Sequence, residues 1–170
     1  KKILVATTSF SEFSNKPIEL LAKSDMDVDY NIYGRKMTEG EILNKISDYS
    51  GIIAGTENYT KKILMNAKQL KAISRLGVGV DNIDIETANN NNIKIYRTKT
   101  SPAKAVAELA LGLMLDVSRK ISYQNNDLKS GGWNKKMGNL LQGKTLGVIG
   151  LGSIGKELIR LVKGFNFEIM

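Results

Sequence analysis

Six residues, Gly150-Leu151-Gly152-Ser153-Ile154-Gly155, have the types and spacing that hold a pyrophosphate against a main chain. In this pattern the first glycine allows a tight turn and the second lets the phosphates approach the backbone. The third lets a helix pack closely on a strand. The neighbours supply that context. Leu146-Gly147-Val148-Ile149 reads as a buried strand, and Lys156 to Lys163 reads as a helix capped by Gly164. A helix N-terminus offers free N–H groups and a partial positive charge to an anion. The expected dinucleotide contacts are therefore Gly150, Gly152, Ser153, Ile154 and Gly155. The motif lies close to Met170, so most of the domain it would begin is expected to lie outside this sequence.

A second candidate anion site is Gly77-Val78-Gly79. Glycines let an anion approach main-chain donors, which hold charge without a side-chain cation. Either this is such a site or it is a plain strand-to-helix turn. Other chemistry is excluded by composition. The 170 residues contain no cysteine and no histidine, which removes thiolate metal sites, the commonest metal ligand and the commonest general base. The net charge is +8, but the basic residues are scattered rather than clustered, so no nucleic-acid partner is expected. A basic balance also attracts small anionic substrates and cofactors. No apolar run has the length of a membrane span, and the chain enters a strand-like segment at once. A cytoplasmic setting, with no membrane partner, is the expectation.

The elements that must position these residues alternate along the first hundred positions. Lys2 to Thr8, Asp27 to Tyr33, Gly51 to Gly55, Lys71 to Leu76 and Ile93 to Tyr96 read as strands. Lys16 to Lys23, Thr38 to Ser47, Thr60 to Ala67 and Asp84 to Asn91 read as the helices between them. Thr38 and Glu41 have capping-box spacing. Five strands with helical crossovers imply an α/β fold, a flavodoxin-like, mostly parallel sheet covered on both faces. Ligands of such sheets bind beyond the carboxyl ends of the strands. That rim would carry Thr7-Thr8-Ser9, Thr56-Glu57-Asn58 and Gly77-Val78-Gly79.

Ser101 to Tyr123 reads as one long helix, with Ser101 as N-cap and Pro102 as first residue. Val106, Leu109, Leu113, Val117 and Ile121 recur at helical spacing, among many alanines. It is either a core helix or an interdomain and dimer helix. Asn125 to Gln142 reads as an irregular arm carrying the single tryptophan, Trp133.

Four segments in order now point further. They are Leu76-Gly77-Val78-Gly79-Val80-Asp81-Asn82-Ile83-Asp84, Ala105-Val106-Ala107-Glu108-Leu109, Gly131-Gly132-Trp133, and Gly143-Lys144-Thr145-Leu146-Gly147-Val148-Ile149 leading into the glycine turn. Together they resemble the D-isomer-specific 2-hydroxyacid dehydrogenases, especially the D-3-phosphoglycerate dehydrogenase branch. The resemblance implies a substrate domain over residues 1–97. Residues 98–170 would hold the interdomain helix, the arm and the first β-α-β of a Rossmann cofactor domain. It implies oxidation of the CH–OH group of a small D-2-hydroxy acid to a 2-oxo acid, with NAD or NADP as hydride acceptor. Thr56, Gly77, Val78 and Gly79 would meet the substrate, and Val78 and Val106 would either approach the nicotinamide or simply pack. The long helix would lie at a twofold homodimer interface, with Trp133 anchoring the arm.

Two departures bear on the substrate. Many phosphoglycerate dehydrogenases carry Arg-Ser after the third strand, where this chain has Gly55-Thr56. The asparagine expected before the long helix is Pro102; Arg97 and Lys99 are either substitute cations or solvent-facing charges. The family's catalytic histidine, its orienting carboxylate and its arginine have no counterpart here. Arg35, Arg75, Arg119 and Arg160 match no catalytic motif, and Glu168 comes too early to hold the ribose. The expected reading is thus an N-terminal fragment of such an enzyme. The alternative is an inactive dinucleotide-sensing or interaction module on the same scaffold.

Overall fold

In the computed structural model, which describes residues 1–170, the chain divides into two units, Lys1–Thr100 and Ser101–Met170. The first is an α/β unit. Its strands are β1 (Lys2–Val5), β2 (Asp27–Tyr30), β3 (Gly51–Ala54), β4 (Ala72–Arg75) and β5 (Lys94–Arg97). All pair in parallel, in the order β2-β1-β3-β4-β5. The first four strands end one to three residues earlier than predicted, and β5 is shifted one residue later, to Arg97.

The helices between them are α1 (Lys16–Ala22), α2 (Glu39–Leu43), α3 (Lys61–Asn66) and α4 (Ile85–Asn90). The expected helix from Thr38 to Ser47 is split. It stops at Leu43, and a 3₁₀ turn, Ile46–Asp48, follows. Its start is as the spacing predicts. The Thr38 hydroxyl accepts from Glu41 N–H at 3.3 Å, and Glu41 accepts from Thr38 N–H at 2.8 Å. Arg35 pairs with the same carboxylate at 2.7 Å. Arg35 first, and then the Thr38 N–H, hold the Glu41 carboxyl down to about 2, so the cap stays ionised far into the acid range.

The core lies on one face of the sheet. Leu4, Ile52, Ala54 and Ile73 from the strands meet Ile42, Ile46, Ile63, Leu64, Ala88 and Ile93 from the helical side. The expected cover on both faces is uneven, with the second face only thinly covered. Helix α1, on the other face, buries no residue. Ile3, Gly51, Ile53 and Ala72 there line an open cleft with Leu21 and Met26.

The second unit begins with α5 (Ala103–Arg119) and α6 (Ile121–Lys129). The single long helix predicted over Ser101–Tyr123 is broken at Lys120, which is left-handed (φ 56°, ψ 40°). Asp116 explains the break. Its carboxylate accepts from Ser122 N–H at 2.6 Å and from the Ser122 hydroxyl at 2.7 Å, capping a new helix. Pro102, not Ser101, is the N-cap of α5, although the Ser101 hydroxyl accepts from Ala103 N–H at 3.2 Å. The arm starts later than predicted, after Lys129. Part of it is tied down, since Asn139 N–H donates to Ser118 O at 2.8 Å. There Gly138 passes so close that a Cβ would stand 2.7 Å from that oxygen.

Strands β6 (Thr145–Leu146) and β7 (Glu168–Ile169) pair in parallel across α7 (Ser153–Leu161). The predicted buried strand to Ile149 is corrected: the strand ends at Leu146, a last bond runs from Val148 N–H to Met170 O at 2.8 Å, and Ile149 is fully exposed. Helix α7 lies against this two-stranded ladder, with Gly155 beside Val148 and Val162 buried. Helix α7 starts at Ser153, three residues earlier than predicted. It ends not at Gly164 but at Leu161, followed by a 3₁₀ turn and left-handed Asn166. No helix is long and apolar enough to cross a membrane.

Candidate functional site

The rim of the first unit is built where β3 and β4 end. Leu76 N–H donates to Ala54 O at 2.8 Å, which joins the two strand ends. Gly77 follows with φ +150°, a region that side-chain-bearing residues rarely occupy. Its N–H is already engaged, donating to Arg75 O at 2.9 Å and to the Thr98 hydroxyl at 3.1 Å. Of the three loop residues it is Val78 and Gly79 whose amides find no acceptor in the protein. Those two donors can receive an oxygen anion. Gly79, by contrast with Gly77, has ordinary backbone dihedrals, and a Cβ there would meet only Asp81 Oδ2 at 3.3 Å.

Thr56 is exposed beside this loop's anchor. The two rim segments are stapled by Asn82, whose side-chain amide donates to Glu57 O at 2.5 Å and to Gly55 O at 3.2 Å. Tyr59 N–H donates to Asn82 O at 2.7 Å, and Asp84 N–H to Tyr59 O at 3.0 Å. Thr56, Gly77, Val78 and Gly79 thus share one rim. Thr7 belongs to it as well, buried and with its hydroxyl 3.1 Å from that of Ser9.

Sequence reasoning passed over the polar layer beneath. Glu57 is 2% exposed, and its carboxylate accepts from Gly55 N–H at 2.7 Å. Tyr59 is fully buried, and neither its hydroxyl nor Arg75 Nε has a hydrogen-bond partner. Burial chiefly, and then the Glu57 charge, push the Tyr59 phenol far up, against the opposing charge of Arg75. The signal available was a carboxylate just after a buried strand and an arginine closing the next one.

In the second unit the glycine turn has the geometry its spacing implies. Gly150 is at φ +96°. Gly155 is buried, and a Cβ there would stand 2.5 Å from Gly150 O. Around Gly152, the N-cap of α7, the space is open. No side chain caps α7, so its first N–H groups face an open cleft lined by Gly150, Gly152, Ser153 and Ile154. The Ser153 hydroxyl is 3.3 Å from that of Ser101, which sets the start of α5 beside the turn. Val106, one turn into α5, is partly exposed; it belongs to this unit and Val78 to the other. No group of three acidic, histidine or cysteine side chains is arranged to hold a metal ion.

This fold and these two loops define a class. A family model described as D-isomer specific 2-hydroxyacid dehydrogenase, catalytic domain, matches residues 5–165, and the chain belongs to that family. Among its relatives, D-3-phosphoglycerate dehydrogenase of Methanocaldococcus jannaschii is 41% identical over 138 residues, 79% of this chain and 26% of the relative. Hydroxypyruvate reductase of Thermotoga maritima is 41% identical over 121 residues, 70% of this chain and 40% of the relative. Among solved structures, the NAD+-bound 3-phosphoglycerate dehydrogenase of Entamoeba histolytica superposes with TM-score 0.71 at 30% identity, over 99% of this chain and 52% of that one. The chain therefore spans about a quarter to two-fifths of these curated relatives and half of the solved structure.

Proposed function

We propose that this chain supplies the substrate-carboxylate loop and the pyrophosphate turn of an NAD(P)-dependent oxidoreductase acting on a small D-2-hydroxy acid. The carrying observation is the glycine turn, in which Gly155 lies against Gly150 O while Gly152 is left open to a ligand. A nicotinamide dinucleotide, when bound, accepts the hydride; NAD is the expected cofactor, with NADP the other candidate. Gly150, Gly152, Ser153, Ile154 and Gly155 would hold its phosphates through N–H groups and the N-terminus of α7. Val78 and Gly79 N–H would hold the substrate carboxylate, with Thr56 beside them, and Val78 and Val106 would border the nicotinamide. The test is an amide-resolved NMR titration of the 170-residue chain. NAD is expected to move the Gly152 to Gly155 resonances, and pyruvate those of Val78 and Gly79. Flat titrations at both sites would overturn the reading.

The second unit also supports a homodimer. Helix α5 buries Ala103 and Ala107 on the side that packs against α7. Leu109, Leu113 and Val117 are left 64%, 55% and 78% exposed, and Trp133 87%. An apolar row of that length marks an interaction surface. Aromatic anchors at interfaces contribute about 2 kcal/mol or more, so Trp133→Ala is expected to weaken self-association by roughly thirty-fold. Sedimentation equilibrium reads this directly. A wild-type chain that stays monomeric at high micromolar concentration would remove the dimer.

A further inference from the structure

Glu57 is a buried carboxylate with no ion-pair partner within bonding distance, and it lies directly under the rim proposed to hold the substrate. It is 2% exposed. A Cβ built on Gly55 would stand 3.1 Å from its Oε2 and 2.8 Å from the Thr7 hydroxyl, so nothing separates the carboxylate from the Gly55–Thr56 turn above it. Burying a charge is costly unless a counter-charge or hydrogen bonds offset it. Glu57 has one hydrogen bond, from Gly55 N–H at 2.7 Å. The cation on the same buried layer is Arg75. Both act on the Tyr59 phenol, in opposite directions. The Arg75 guanidinium is folded back over Gly77 and donates to Leu76 O, while its buried Nε has no acceptor.

The outer side of the loop repeats the balance. Asp81 approaches Gly79, and Arg97 donates to Val78 O at 3.3 Å. The charges of these four groups cancel, Glu57 and Asp81 against Arg75 and Arg97. A substrate carboxylate with a single negative charge needs only the two free amides of Val78 and Gly79. A phosphate ester brings up to two further negative charges, and it is held best by charge-assisted bonds from free cations. Here it would meet the like charge of Glu57, buried one layer beneath the rim.

We infer that Glu57 is a specificity-determining positioning residue that makes this rim select unphosphorylated 2-hydroxy and 2-oxo monocarboxylates over phosphorylated ones. The inference rests on the carboxylate-loop reading above and adds the substrate class to it. It also decides between the chemistries of the relatives, whose names include both phosphoglycerate dehydrogenases and a hydroxypyruvate reductase.

The experiment titrates the 170-residue chain with pyruvate and, separately, with 3-phosphoglycerate, following the Val78 and Gly79 amides by NMR. In the wild-type chain pyruvate is expected to bind at least about tenfold more tightly. Glu57→Gln, which keeps shape and removes charge, is expected to narrow that ratio about tenfold, a change that loosened packing alone would not produce. Equal binding of the two ligands by the wild-type chain would overturn the inference, and so would an unchanged ratio in a folded Glu57→Gln chain. The wild-type comparison stands by itself if the variant does not fold. If neither ligand moves Val78 and Gly79, the carboxylate-loop reading falls, and the selectivity with it.

Discussion

The purified 170-residue chain, given D-lactate, D-glycerate or 3-phosphoglycerate with NAD or NADP, is expected to form no reduced nicotinamide. Taking a hydride from a CH–OH carbon requires a base for the hydroxyl proton. The family resemblance assigns that base to a histidine, and this chain has none. The groups near the loop are poor substitutes. Glu57 is buried and committed to Gly55 N–H. The Tyr59 phenol is pushed far up by burial and then by Glu57, so it keeps its proton at any working pH. Asp81 is exposed to solvent on the outer side of the loop, its carboxylate lying against Gly79. General acid–base help is worth about 10² to 10⁴-fold, and that share is missing before any loss in cofactor orientation is counted. Absorbance of the reduced cofactor measures the result. Steady turnover above the protein-free rate would mean that one of these carboxylates does the histidine's work. Inactivity combined with NAD-induced shifts at Gly152 to Gly155 would leave two accounts of the chain, a part of an enzyme or a sensing module. Association with a second polypeptide that carries the missing histidine, with activity restored, would favour the first.

What the sequence disclosed and what it hid follow one physical divide. Features fixed by neighbours in the chain were legible. The capping box of Thr38 and Glu41 depends on two side chains three residues apart, and it forms as the spacing implies. The central strands of the first sheet are apolar runs, its edge strands β2 and β5 alternate apolar with charged residues, and their order follows from right-handed crossovers. The glycine turn is likewise local, and Gly150 and Gly155 have the conformations their places in the pattern require. Features set by contacts outside the local periodic pattern were not legible. The break at Lys120 depends on Asp116 reaching forward to Ser122, across an otherwise uninterrupted helical pattern. Ile149 looked buried because it is apolar, yet its exposure depends on how few strands stand beside it. The rim position of Glu57 was legible, but its burial was not: only the fold reveals that Gly55, Tyr59 and Asn82 close over it.

Gly77→Val is expected to abolish pyruvate binding at the rim, and to do so through the backbone. At φ +150° Gly77 occupies a region that is essentially reserved for glycine, at a cost of about 1–3 kcal/mol for other residues. A Cβ there would also meet the Arg75 guanidinium, which would have to swing aside. Valine adds two methyl groups to that conflict. The loop is then expected to leave its present path, breaking the Gly77 contacts with Thr98 and displacing the Val78 and Gly79 amides. An unfolding transition lower by roughly 4–8 °C per kcal/mol should accompany the change. Gly79→Val is the internal comparison. Its backbone is ordinary, and the one close atom is the end of the Asp81 side chain, which can move aside. That variant should fold like the wild type and lose only what its methyl groups obstruct. Circular dichroism gives the two melting temperatures, and the Val78 resonance gives the two affinities. If Gly77→Val melts and titrates like the wild-type chain, the positive φ does not hold the loop, and the anion site has no structural basis. If Gly79→Val is the more damaging of the two, the ligand approaches over Gly79, and steric access rather than backbone conformation governs the site.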